Sequence, residues 1–257
     1  MVNLPRSTLP RTRTGMTTRY LKRYLAGEHG QVWAELRALG PHVRDEPVLS
    51  DARAVAGETM RRVRRNCERI IARLGAAGYT FGVYTDGAER YPEGAIEAHP
   101  GTVSMKEFDE HGMAIPLSLE AFWKEVGWVC LVGMHPSLPF MSDALEIGPV
   151  DEVLAELDEW EAGMEHDDAE RDDVPSFEAA LSADAFHKDN VSGGESYAVR
   201  LPGETADFPL LHERHGLDFI PYLRLALLRW GGFPGLDGRE GVRFDLADRL
   251  IEELEPF

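Results

Sequence analysis

Cysteine is nearly absent: the 257 residues hold two, Cys67 and Cys130. Neither stands in a CxxC or metal-spaced pair, so the sequence predicts free core thiols in place of a disulfide. Long apolar runs are absent too. No stretch approaches the ~20 residues a membrane span needs, and no apolar segment of signal-peptide type follows the first charges. The expectation is a cytoplasmic protein. Positive charge is scarce, with 27 Lys and Arg against 45 Asp and Glu and a net charge of -18. The chain also lacks GxSxG, Walker A, dinucleotide-type glycine spacing and HExxH. No catalytic residue and no cofactor can therefore be assigned.

What is present argues for packed cores. Hydrophobic residues make up 43% of the chain, and five Trp, eleven Phe and seven Tyr are spread along it. A solvating acidic chain is poor in aromatics. The charge is unevenly placed: residues 1–75 carry 15 basic against 7 acidic side chains, a balance of +8, and residues 76–257 carry 12 against 38, a balance of -26. Such asymmetry bears on solubility and on the steering of charged partners.

Three parts follow from the patterning. Residues 1–16, with Pro5, Pro10 and Gly15, read as a flexible basic arm. Residues 17–78 read as a helical hairpin. Its first helix follows Thr18 and carries Leu21, Leu25, Val32, Trp33, Leu36 and Leu39. Its second starts near Ser50 or Asp51 and carries Ala56, Met60, Val63, Cys67, Ile70 and Leu74. Residues 79–257 read as an acidic α+β body. It has strand-like stretches at Tyr79 to Tyr84, Trp128 to Val132 and Tyr197 to Leu201. Ser118 is placed to cap a helix bearing Leu119, Phe122, Trp123 and Val126. A helix opening at Pro149 and Asp151 buries Val150, Val153, Leu154, Leu157 and Trp160. An apolar helix spans Ile220 to Trp230, and a last one runs from Asp245 to Glu255.

Four features invite a chemical reading. His212-x-x-His215 would share one face of a helix, where Asp207 or Asp218 could add an oxygen ligand for a metal; histidines near a helix end more often meet local carboxylates. The run around Glu161, Glu165, Asp167, Asp168, Glu170, Asp172 and Asp173 lacks the alternating spacing of a calcium loop and reads as a solvated acidic surface, available to a partner. Arg61, Arg62, Arg64, Arg65, Arg69 and Arg73 flank the second helix and could contact phosphates. A body at -26 repels nucleic acid, and such arginines usually pair with neighbouring carboxylates. The glycines at 193–194 and 231–232 fit turns.

The passage Ile115-Pro-Leu-Ser-Leu-Glu-Ala-Phe-Trp-Lys-Glu-Val-Gly127 resembles the N-terminal signature of the SUKH superfamily. Leu145-Glu-Ile-Gly-Pro-Val-Asp-Glu-Val153 resembles the strand-to-helix passage that follows there. Gly193-Gly-Glu-Ser-Tyr197 and Phe219-Ile-Pro-Tyr-Leu223 resemble its later turn and closing helix. Coverage is about residues 105–235, with Glu195 where an Asp is usual. The resemblance implies a mixed sheet-and-helix domain that works by binding, chiefly as a bacterial toxin-immunity protein, and transfers no active-site residues. The expectation is thus a non-catalytic protein-binding module whose partner is a protein with a basic surface. Two alternatives stand beside it: a metal-dependent enzyme using the His212 and His215 region, and a nucleic-acid-binding regulator acting through the basic hairpin.

Overall fold

The computed structural model describes residues 19–84, 87–90, 106–164, 176–241 and 244–257. The basic arm expected at 1–16 lies outside them, as do Glu165, Asp167, Asp168, Glu170, Asp172 and Asp173. The described residues form an α+β fold of helices and small antiparallel pairs.

Its N-terminal part is built on one long helix. In α3 (Val48–Ala76), Val55, Ala56, Thr59, Met60, Val63, Asn66, Cys67, Ile70 and Leu74 recur at steps of three and four, and all are buried. The helix before it, expected as one, is two: α1 (Arg19–Leu25) and α2 (His29–Ala38). The break is at Gly27, whose φ of +101° lies in the region glycine alone enters cheaply. Leu25, read as part of the apolar stripe, consequently points to solvent. Asp51 of α3 accepts hydrogen bonds from the amides of Tyr20 (2.7 Å) and Leu21 (3.0 Å), and so satisfies the open end of α1. Trp33 of α2 donates through Nε1 to the buried Thr59 hydroxyl at 3.0 Å.

The body is a set of short pairs. β1 (Thr80–Phe81) pairs with β3 (Gly133–Met134), and β2 (Val129–Cys130) with β4 (Glu146–Ile147). β5 (Phe177–Ser182) pairs with β6 (Tyr197–Leu201). The stretches read as strands at 79–84 and 128–132 are thus two-residue strands. β5, whose Glu-Ala-Ala-Leu composition suits a helix, had no sequence signal; pairing with β6 decides it. Between them lie α4 (Lys106–Glu110), α5 (Leu117–Glu125) and α6 (Val150–Met164). α5 packs against α3, and α6 lies on β5.

Three helix ends depart from expectation. α5 begins with Pro116 at its cap position, so Ser118 sits inside the first turn and its hydroxyl donates to Asp207 Oδ1 at 2.9 Å. α7 (Phe219–Arg224) passes into a π turn at Leu225–Arg229 instead of running as one helix to Trp230. α8 (Ala247–Ile251) stops before Glu252, and residues 252–257 leave the helix to lie along α3. One hydrophobic cluster reaches from Tyr24 through Trp123 and Tyr222 to Phe257.

Candidate functional site: a pinned loop platform on an acidic body

His212 and His215 do not share a helical face, and each meets local carboxylates. Residues 212–215 are a turn, with His212 at φ +61°, because the amide of Leu211 is taken by the carbonyl of Ala198 on β6. The two imidazoles are turned to different carboxylates: His212 to Glu195 (2.8 Å) and Glu178 (3.6 Å), His215 to Glu213 and Asp237. Asp218 pairs with Arg37. Asp207 is buried and accepts from Ser118 and from the amide of Ile220, and so closes the first turn of α7. Burial pushes its carboxyl up to about 7 against those hydrogen bonds.

Of the expected acidic surface, Glu161 lies among the described residues. It ends the solvent face of α6, a helix with six acidic side chains and no basic one. Asp151, Asp158 and Glu159 are exposed on that face. His111, just past α4, reaches Glu161 at 2.9 Å and Asp158 at 3.5 Å. Glu107, Asp109 and Glu110 of α4 extend the same charge.

The arginines of α3 are engaged within the chain. Arg61 and Arg62 meet Glu58, Arg61 also meets Glu125, and Arg64 meets Glu68. Arg65, Arg69 and Arg73 are turned to residues 250–255.

A cavity of about 580 Å³ beside the start of α6 is lined by Arg90, Trp128, Cys130, Glu146, Glu152 and the end of β5. Arg90 pairs with Glu146 at 2.8 Å, and the Cys130 thiol donates to Glu146 at 3.3 Å. Burial would raise the Glu146 carboxyl, but Arg90 and Lys188 hold it below its ordinary value. Burial and the Glu146 charge push the Cys130 thiol well up, which favours its protonated form. Cys67 is likewise a buried free thiol, pushed up to about 12 by burial.

The feature that sequence reasoning missed lies in two loops. Residues 135–145 and 183–196 are locked together by the buried Lys188, whose Nζ reaches Asp143 Oδ1 at 2.7 Å and stands 4.7 Å from the Tyr197 ring. The Tyr197 hydroxyl donates to Asp143 Oδ2 at 3.0 Å, completing the pair's satisfaction. Asp189 accepts the amide of Met141 at 2.6 Å, and Asp184 accepts the amide of Phe186 at 2.7 Å. Met141, Asp143 and Asn190 all have positive φ between 52° and 59°. Backbone in this region costs free energy, and the surrounding bonds hold it there. From the platform so fixed, Phe140, Phe186 and Val191 point outward at 53, 46 and 38% exposure.

The sequence did carry a faint signal. Phe140 follows Pro136 and Pro139 in a stretch too rich in proline for an element, and Phe186 stands alone among charged residues with no apolar partner at helical or strand spacing. Comparisons with models of protein families, with curated proteins and with solved structures gave no match.

Proposed function

We propose that this chain is a protein-binding module, most concretely an immunity protein of SUKH type that occludes a basic toxin domain. The observation that carries the reading is the platform: apolar side chains exposed on loops that a buried ion pair and side-chain-to-backbone hydrogen bonds tie together, on a strongly acidic molecule. Exposed aromatics in a fixed setting are the anchors by which interfaces gain most of their energy, because little side-chain and loop entropy is lost when the partner covers them. The carboxylates of α4 and α6 supply long-range attraction for a cationic partner. The SUKH-like passages supply the biological setting.

Capture from the native lysate with the tagged full chain tests it, with the Phe140→Ser, Phe186→Ser double variant as comparison. The wild type is expected to retain one stoichiometric basic protein, which the variant loses. Co-expression of the wild type should relieve that protein's toxicity. Capture of the same protein by both chains, or of none, contradicts the reading.

A further inference from the structure

The segment Glu252–Phe257 is held against α3 in the way a peptide-binding domain holds its ligand. Asn66, fully buried, donates through Nδ2 to the carbonyl of Glu255 at 2.8 Å and accepts the amide of the same residue at 2.8 Å. That two-point grip on one residue's main chain is what a neighbouring strand would offer. Arginines take further carbonyls: Arg73 those of Leu250 (2.9 Å) and Glu252 (2.6 Å), Arg69 that of Glu253 (3.0 Å), and Arg62 that of Pro256 (2.9 Å). Arg224 takes that of Phe257 at 2.5 Å.

Side chains are read at two places. The Glu255 carboxylate lies between Arg65 at 2.6 Å and Arg69 at 3.1 Å, and the Phe257 ring is buried beneath the Arg224 guanidinium, 6.0 Å away. Leu254 is half-buried against the core. Arg224 Nη2, although buried, has no acceptor among the described residues, so the groove holds a donor that this segment leaves unsatisfied.

We propose that this face of α3, with Asn66, Arg62, Arg65, Arg69 and Arg224, is a peptide-recognition groove for an extended acidic segment of the pattern Leu-Glu-Pro-Phe, occupied here by the chain's own residues. The inference is independent of the platform and its partner. Main-chain recognition makes the groove a receptor for any segment that offers Glu and an aromatic at this spacing. The segment belongs to no helix or sheet, and apart from Leu254 and the buried Phe257 ring it is held by polar bonds at a half-exposed surface, so opening it costs the core chiefly that one aromatic.

The test uses the full chain carrying Glu255→Ala and Phe257→Ala, which weaken the resident segment, and a fluorescein-labelled hexapeptide of residues 252–257. Fluorescence anisotropy is expected to show the peptide binding the variant at least about tenfold more tightly than the wild type, in which the tethered segment competes at an effective concentration on the order of millimolar. Adding Arg65→Ala and Arg69→Ala should weaken binding again, as should Glu→Ala in the peptide at the position of Glu255. Absence of peptide binding to a variant whose circular dichroism matches the wild type overturns the proposal. Loss of folding by the variant also overturns it, because the segment is then an inseparable part of the core. Tighter binding of a single-stranded oligonucleotide than of the peptide would make the groove a polyanion surface instead and would equally reject it.

Discussion

At the scale of single residues, the buried charges set the sharpest expectations. Lys188 and Asp143 are 3 and 1% exposed. Lys188→Met leaves the Asp143 carboxylate buried with the Tyr197 hydroxyl alone, and this should cost about 3–5 kcal/mol in urea unfolding. Lys188→Met with Asp143→Leu should recover much of that loss, because no charge is then stranded. Asp207 carries a pH dependence. Its value rises from an ordinary 3.8 to about 7, so between these limits the folded chain keeps a proton that the unfolded chain has released. The stability Asp207 contributes is complete below that window, declines as pH rises through it, and is gone above about 7. Asp207→Asn should remove this decline, seen as a difference in slope of up to roughly 1.4 kcal/mol per pH unit between variant and wild type. Nothing in the sequence marked Asp207 as a helix-closing carboxylate. Its partners Ser118 and Ile220 are remote in the chain, and only tertiary packing brings them together.

At the scale of elements, long periodic segments were legible and short ones were not. α3 and the buried face of α6 follow directly from apolar spacing, because each buries one continuous stripe. β5 and the two-residue strands are decided by their partners across the sheet, and α8 is shortened because arginines of α3 take carbonyls that further helix would have used. Close approach between elements gives a paired prediction on glycines. A Cβ at Gly133 would lie 2.3 Å from the Thr80 carbonyl oxygen and 2.4 Å from the Tyr79 ring. Gly133→Ala must therefore part β1 from β3, at a cost of about 2 kcal/mol or more. Gly75, in the last turn of α3, has open space around it and a helical backbone. Gly75→Ala should be neutral or stabilise by up to about 1 kcal/mol in the same denaturation assay.

At the scale of the molecule, the charge asymmetry read from the sequence has a physical resolution. The arginines of α3 are ion-paired or hydrogen-bonded within the chain, while Asp151, Asp158 and Glu159 of α6 meet no Lys or Arg among the described residues. Composition could show the imbalance but not which charges cancel, since Arg65 and Glu255 are 190 positions apart. For a basic partner, association should slow steeply as ionic strength rises through physiological values, where the Debye length is about 8 Å. Asp151→Asn, Asp158→Asn and Glu159→Gln together should lower the on-rate and flatten its salt dependence with little change in dissociation. Phe140→Ala should do the reverse, raising the off-rate at an unchanged on-rate. Stopped-flow measurements at two salt concentrations separate the two effects; an on-rate unchanged by the acidic-face variant together with an off-rate unchanged by Phe140→Ala would place the contact surface elsewhere.

The grip of α3 on residues 250–257 also has a consequence in time. During synthesis Arg65, Arg69 and Arg73 leave the ribosome while their acceptors at 250–255 are still untranslated, and at ~5–20 residues per second the ~190 intervening residues take on the order of 10–40 s. For that interval the side of α3 that carries these three arginines lacks its partners, and loop closure over so long a span comes late in any case. The nascent chain thus passes through a stage at which its cationic side attracts polyanions that the finished, acidic protein repels.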